Sequence, residues 1–241
     1  MLLVIDIGNT RTKWALAGDD GRLSPMQICL NAAIASAKFP VKQAQKVIIS
    51  NVAGDAIAQQ MAQLLAPLAP HFMKVIEQAG GVINRYEPTL GTDRWAALVG
   101  AWHITKHATV VVNAGTAITI DVLNGKGEFL GGTIMPGLYL MHESLNQHAM
   151  QVNIHADSVG VSMINFPINT QDAVTAGCLN AVAGAIHLML KRLEKESGWL
   201  PKLLISGGDA HNIAQALNLD VKQIIITDNL VLQGLVLLAK E

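Results

Sequence analysis

Two short segments join an apolar run, a polar residue and a glycine turn in the order that a phosphate-binding hairpin needs. Residues 2–10 read LLVIDIGNT, and residues 110–116 read VVVNAGT. Asp6 and Asn113 hold the same place in the two segments, and each precedes a small or apolar residue, a glycine (Gly8 or Gly115) and then polar residues (Asn9 and Thr10, or Thr116). Glycine opens backbone angles closed to other residues, so successive N–H groups can converge on an anion. Asn9 and Thr10 add side-chain donors, and Lys13 adds a positive charge. A carboxylate at a strand end, here Asp6, suits a hydrated Mg2+ that bridges nucleotide phosphates. Asn113 offers hydrogen bonds without charge, and Gly115 and Thr116 follow it where a β- or γ-phosphate would sit. Either segment alone also reads as a plain hairpin turn with a solvated polar residue. Recurrence favours the chemistry: one phosphate loop in each half of a duplicated chain is the plan of a two-lobed phosphotransferase.

Two further clusters carry reactive groups. Leu90-Gly91-Thr92-Asp93-Arg94-Trp95 sets a carboxylate beside a guanidinium after an irregular stretch. Asp93 is suited to take the proton of a substrate hydroxyl, and Arg94 to grip a carboxylate or phosphate as a two-pronged fork. The bland alternative is a capping Asp and a surface Arg. Ile205-Ser206-Gly207-Gly208-Asp209-Ala210 runs through paired glycines toward a helix. Gly207 and Gly208 would let a base or a phosphate approach the backbone, unless this is an ordinary helix start capped by Asp209. His142, His148 and His155 fall in one region without metal-ligand spacing, and read as surface or satisfied core histidines. There is no Walker phosphate loop, nucleophile elbow or HExxH zinc motif, which excludes those enzyme classes.

Hydrophobic periodicity outlines the elements that must hold these residues. Strands are expected at 2–6, 12–17, near 26–30 and at 47–51. A helix over 55–66 ends at Pro67 and Pro70. A short strand is expected at 75–77, and Gly80-Gly81 opens a polar loop through Asn84, Tyr86 and Pro88. Thr92 or Asp93 then caps a helix over 94–106. The second half gives strands at 109–112, 118–123 and 128–134, with a turn at Gly125-Lys126-Gly127. Helices over 137–148 and 171–195, a strand at 203–206, a helix over 210–217, a strand at 224–226 and a helix over 229–239 follow. Mixed sheets packed by helices are implied, in an N-terminal lobe over 1–107 and a C-terminal lobe over 108–241.

The totals limit the partners. A net charge of −1 argues against nucleic acid, whose phosphate backbone calls for a basic surplus. Hydrophobic residues make up 51% of the chain and charged ones 15%, enough for a large core and a buried subunit interface. Cys29 and Cys178 have no CxxC spacing and read as buried free thiols of a reducing compartment. The first apolar run stops at Asp6, too short for a signal peptide, and no run is expected to reach a membrane span. The expectation is a soluble, cytoplasmic protein with no membrane partner.

The motifs, in order, resemble the type III pantothenate kinases, members of the acetate kinase, sugar kinase and actin superfamily. The resemblance rests on Asp6-Ile7-Gly8-Asn9-Thr10, Gly91-Thr92-Asp93-Arg94-Trp95, Asn113-Ala114-Gly115-Thr116-Ala117, Gly131-Gly132-Thr133-Ile134-Met135-Pro136-Gly137 and Thr170-Gln171-Asp172-Ala173. It spans nearly the whole chain, and the second and fourth motifs narrow it from superfamily to family. It implies an α/β fold of two duplicated actin-like (ribonuclease H-like) lobes, with mixed sheets flanked by helices. It implies ATP-dependent phosphorylation of pantothenate, the first step of coenzyme A synthesis, by a homodimer that needs Mg2+ and a monovalent cation, K+ or NH4+. Asp93 is then similar to the base, and Tyr86, Gly91, Thr92 and Arg94 to residues of the pantothenate site. Thr170 is similar to a residue that reaches the substrate across a dimer interface. Asp6, Gly8, Asn9, Thr10 and Lys13 match the first phosphate site, and Gly115, Thr116 and Thr119 the second, with Gly207 and Gly208 in the ATP site. One position departs: the family usually has Asp, tied to the monovalent cation, where this chain has Asn113. The rival readings are a kinase for another small hydroxylated metabolite and a nucleotide-binding regulator that does not turn over.

Overall fold

Every residue of LLVIDI except the aspartate is apolar, so this segment has no polar face and suits a strand covered on both sides. In the computed structural model, which describes residues 1–148 and 166–241, it is β1 (Leu2–Ile7). His155 lies outside the described residues. β2 (Arg11–Ala17) returns antiparallel, pairing Asp6 with Lys13, and β3 (Gln27–Leu30) lies beyond it. β4 (Lys46–Asn51) runs parallel to β1 on its other side, followed by β5 (His71–Phe72). The sheet order is β3-β2-β1-β4-β5. A helix, α1 (Asp55–Leu64), links β4 to β5, and a single 3-10 turn continues it at Pro67.

Two expectations fail here. The apolar pair at 75–76 forms no strand; β6 (Gln78–Ala79) and β7 (Val82–Asn84) form a hairpin instead. Gly80 and Gly81 close that hairpin with φ of +57° and +80°, angles that suit a two-residue turn between twisted strands. The glycine pair was expected to open a loop, and its left-handed angles set the register instead. Next comes α2 (Thr92–Thr105), whose cap is Gly91 with no side-chain bond. Thr92 and Asp93 are therefore first-turn residues rather than caps, which leaves their side chains available for other contacts.

β8 (Thr109–Ala114), β9 (Ala117–Leu123) and β10 (Glu128–Pro136) repeat the start of the chain. After α3 (Leu138–His148) and α4 (Thr170–Ser197), β11 (Lys202–Gly207) pairs parallel to β8. α5 (Ala210–Leu217) leads to β12 (Ile224–Ile226), and α6 (Leu230–Leu238) ends the chain. The order β10-β9-β8-β11-β12 matches β3-β2-β1-β4-β5 strand for strand. This shared order is the duplication expected from the two hairpins.

The chain divides into two compact units, one of Met1–Lys106, Lys126–Leu130 and Asn229–Glu241, the other of His107–Gly125 and the described part of Gly131–Asp228. A single cut near 107 was expected, but α6 packs with the first unit. There, a Cβ on Gly234 would run into the backbone of Ala96, and one on Gly100 would lie 3.0 Å from the Leu230 carbonyl oxygen. Glycines let the two helix backbones touch, and that contact outweighs chain position. Lys126–Leu130 joins the first unit because β7 pairs parallel with the start of β10. Leu3, Ile5, Ile7, Trp14 and Ile49 build the first core. Val110, Val112, Ile118, Ile120, Leu203 and Ile205 build the second beneath α4.

α4 corrects another expectation. It contains an 18-residue window of mean hydropathy 1.6, long and apolar enough to cross a membrane by composition. Its buried residues Thr175, Cys178, Leu179, Val182, Ala183, Ile186, Leu190 and Leu193 recur at helical spacing. That stripe packs in the second core, so one face of the helix is a core face. The two cysteines are unpaired, Cys178 buried but Cys29 only partly so.

Candidate active site

β1 and β4 end side by side, and their ends carry the polar residues of the first unit. Asp6 of β1 pairs in register with Ser50 of β4 and with Lys13 of β2. One carboxylate oxygen of Asp6, Oδ1, is sealed from solvent with no hydrogen-bond partner. Burial, and then the nearby charge of Asp93, push the Asp6 pKa from 3.8 up to about 7, against the pull of Lys13 and a hydrogen bond from Ser50. Burial also raises Asp93, while the amide of Arg94, 2.7 Å from Asp93 Oδ1, and the Arg94 charge oppose it. Two carboxylates are thus brought together where both cannot comfortably be charged. A cation fits this place. Mg2+ is usually held by one or two carboxylates plus substrate phosphates rather than by a protein cage. No cluster of three acidic, His or Cys ligands occurs among the described residues.

Gly91 makes room for the base. A Cβ there would lie 2.6 Å from Asp93 Oδ1. The obstructing atom is the tip of a side chain, so the fold can yield where the carboxylate cannot stay. Gly91→Ala is expected to lower kcat by about 10²-fold, the usual penalty for roughly 1 Å of misplacement, with the melting temperature nearly unchanged. Steady-state kinetics with thermal unfolding checks this. A large loss of stability with kcat retained would contradict it.

Arg94 is not on the surface. It is 5% exposed, and its guanidinium lies 5.2 Å from the Tyr86 ring centroid and 5.7 Å from that of Phe129. Tyr86 and Phe129 stack at 5.4 Å. Stacking on aromatic faces orients a guanidinium. Thr92 is held from behind: its hydroxyl lies 2.9 Å from Ser50 Oγ and accepts the Asn51 amide at 3.1 Å. Phe129, Ser50 and Asn51 were missed in the sequence. Each is a neighbour only after the strands pair, so no local signal marks it.

The hairpin glycines do not hold the angles expected of an anion-binding turn. Neither Gly8 nor Gly115 takes a left-handed φ. The Gly8 amide donates to the Arg11 carbonyl at 3.1 Å, and the Gly115 amide to the Ala117 carbonyl at 3.2 Å. These amides close the turns instead of pointing at a ligand. The exposed Asn9 and Thr10 remain at the tip of the first hairpin, and Lys13 is half-buried beside Asp6. Asn31, also missed, braces this hairpin by donating to the Gly8 carbonyl at 2.7 Å and accepting from Thr12 at 2.8 Å.

The second unit holds the other candidates. Asn113 pairs with Thr119 and with Ser206, and the Thr119 hydroxyl is buried without a partner. The second hairpin is pinned by α3, because the Gly137 amide donates to the Thr116 carbonyl at 2.9 Å. Gly207 has φ +108°, and a Cβ there would collide with the backbone of Ala114. Its close approach is thus to β8, whereas Gly208 faces open space. Asp209 precedes α5 but makes no capping bond. Burial raises Asp209 and lowers His142, and each is drawn back by the other's charge. His142 was expected to be satisfied or on the surface, yet it is buried and its Nδ1 has no partner. His148 is exposed at the end of α3. Thr170 opens α4 next to the Asn169 cap and belongs to the second unit, whereas Asp6 and Asp93 belong to the first.

The family model of type III pantothenate kinase matches residues 2–192. A type III pantothenate kinase of Nitrosospira multiformis is 39% identical, covering 100% of this chain and 92% of that one. The Nitrosomonas eutropha enzyme of the same name is 37% identical, covering 99% and 94%. Among solved structures, a conserved putative Baf family transcriptional activator from Campylobacter jejuni aligns with a TM-score of 0.65 at 22% identity, covering 96% and 94%. The activator of 2-hydroxyisocaproyl-CoA dehydratase from Clostridium difficile, with bound ADPNP, aligns at 0.57 and 13% identity, covering 99% and 93%. At such identities the structural likeness speaks for the fold.

Proposed function

The chain belongs to the type III pantothenate kinases, and from that premise we propose how its residues divide the work. The reaction is ATP-dependent phosphorylation of pantothenate to 4'-phosphopantothenate in coenzyme A biosynthesis. The observation that carries the assignment of roles is Asp93, half-buried in the first turn of α2 near Asp6 and next to the aromatic-backed Arg94. Asp93 accepts the proton of the terminal hydroxyl of pantothenate. The freed oxygen attacks the γ-phosphorus, the bond from that phosphorus to the bridging oxygen breaks, and ADP leaves with the electron pair. Phosphoryl transfer of this kind depends on positioning and charge neutralisation. Arg94 binds the pantothenate carboxylate, and Tyr86, Gly91 and Thr92 shape the place it occupies. Asn9, Thr10 and Lys13 hold phosphate oxygens, and Asp6 would hold the Mg2+ that accompanies them. Bound Mg2+ would neutralise charge on the phosphates. In the second unit, Gly115, Thr116, Gly207 and Gly208 serve the nucleotide. Mass spectrometry of a reaction with Mg-ATP and pantothenate should show a monophosphate ester of pantothenate. ATP hydrolysis without that ester would overturn the reading.

Monovalent cation dependence follows from Asn113. An amide offers an oxygen but no charge, and its neighbour Thr119 brings only a hydroxyl. Replacing K+ by Na+ is therefore expected to change the rate less than about twofold, because without a carboxylate charge a monovalent cation is held weakly there. Asn113→Asp should introduce K+ dependence. A rate that collapses without K+ or NH4+ in the unaltered chain would show this wrong.

A homodimer is supported by the face of α4 turned from its core. Gly177 and Gly184 face open space and Leu188 is half-exposed, while Ile168 just before the helix is almost fully exposed. An apolar face of that extent calls for a partner, and a second copy would bring Thr170 to it. Sedimentation equilibrium at micromolar concentration should give a dimer, and a monomer would remove Thr170 from the site. The unpaired cysteines suit a cytoplasmic enzyme.

A further inference from the structure

We propose that Phe129 is a positioning residue that sets the preference for an acceptor with a carboxylate, by holding the Tyr86 ring and the Arg94 guanidinium in place. This rests on the kinase reading above, in which Arg94 binds the pantothenate carboxylate. Arg94 is 5% exposed, so the cation that meets this anion is itself mostly removed from water. Its Cζ lies 5.2 Å from the Tyr86 centroid and 5.7 Å from that of Phe129. Both distances are inside the roughly 6 Å over which a ring face attracts a cation. The two rings differ in what holds them. Tyr86 is 37% exposed and lies beyond the end of β7, whereas Phe129 is fully buried near the start of β10. Tyr86 stacks on Phe129 at 5.4 Å, with 27° between the ring planes. The buried ring is therefore the fixed member against which the exposed ring and the guanidinium are both set.

Phe129 owes its place to the backbone. Gly127 has φ +79°, and a Cβ there would lie 2.5 Å from the Gly81 carbonyl oxygen and 3.0 Å from Trp102 Cε2. Two glycine turns thus nest against each other and against α2, the helix that carries Arg94. The Ile83 amide donates to the Gly127 carbonyl at 2.9 Å, and the parallel register sets Phe129 opposite Asn84. The chain toward Tyr86 is tied twice more. The Tyr86 amide donates to Asn84 Oδ1 at 2.9 Å, and the Arg85 guanidinium donates to Glu128 Oε1 at 2.9 Å. That ion pair is open to solvent on the Arg85 side and worth little alone. Of these contacts, the Phe129 ring is the one that also reaches Arg94.

The test compares pantothenate with pantothenol, which carries an alcohol in place of the carboxylate, in the unaltered protein and in Phe129→Leu. Leucine keeps the position apolar but offers no ring face. Arg94 must then be ordered by the ligand, and ordering one long side chain costs up to about tenfold in affinity. Phe129→Leu is expected to raise the pantothenate KM roughly tenfold. Its kcat and Mg-ATP KM should stay within about twofold, because a contact made equally in ground and transition state moves KM alone. The pantothenol KM should change less than about threefold, so the preference for the acid shrinks. Phe129→Met, which fills the space with a flexible chain and no ring, should behave the same way, and it supplies the reading if the leucine variant fails to fold. An equal loss with both acceptors, a fall in kcat at unchanged KM, or an undiminished preference for the acid would each overturn the proposal. An unaltered protein that phosphorylates neither acceptor would sink the kinase reading and this proposal with it, whereas an undiminished preference in the variants sinks the proposal alone.

Discussion

Asp93→Asn is expected to lower kcat by about 10²–10⁴-fold, the usual worth of a general base, with the fold intact. The two side chains have the same shape, and an amide oxygen can still accept from the Arg94 amide, as Asp93 Oδ1 does at 2.7 Å. What is lost is the ability to take a proton. Losing the Asp93 charge also removes one of the two causes that push Asp6 up. Asp6 then ionises more readily, so the KM for Mg-ATP should not rise. The loss should fall on kcat, with the melting temperature no lower than that of the unaltered protein. Near-normal turnover would remove Asp93 from the role of base.

Asp6→Asn should act in opposite directions on activity and stability. Charge neutralisation at transferring phosphates is worth several kcal/mol, so kcat/KM should fall by about 10²–10³-fold. The stability effect depends on pH. In the unfolded chain Asp6 releases its proton near 3.8, whereas in the folded protein it keeps the proton up to about 7. Between those values the folded state binds more protons than the unfolded one, so stability falls as pH rises through this window. The penalty is absent below 3.8 and complete above about 7. An amide at this position titrates nowhere and lacks that slope. Thermal unfolding at pH 5 and pH 8 should therefore show the variant gaining on the unaltered protein at the higher pH. Parallel pH dependence of the two proteins would contradict the burial and crowding of Asp6. A functional site that costs stability is a common arrangement.

The strands and helices that carry the chemistry were legible because their periodicity is strong. The helix over 210–217 and the strand at 224–226 have the expected bounds. Asp6, Lys13, Gly91, Thr92, Asp93, Arg94 and Tyr86 were all named from the sequence, and the structure gathers them in one unit. What could not be read was tertiary. The left-handed angles at Gly80 and Gly81 turned a predicted loop into a hairpin. The glycines of the phosphate turns kept ordinary angles and used their amides to close the turns. α6 left its sequence neighbours because Gly234 lets it seat on α2. Ser50 and Phe129 sit in runs typical of strands, so only the pairing of β1 with β4, and of β7 with β10, shows what they face.

The decisive measurement is ADP release from Mg-ATP, with and without pantothenate, for the unaltered chain and for Asp93→Asn side by side. Release should depend on pantothenate in the first and fall by at least about 10²-fold in the second, the lower bound for a lost general base. Release that ignores pantothenate, or that survives the substitution, would contradict that expectation.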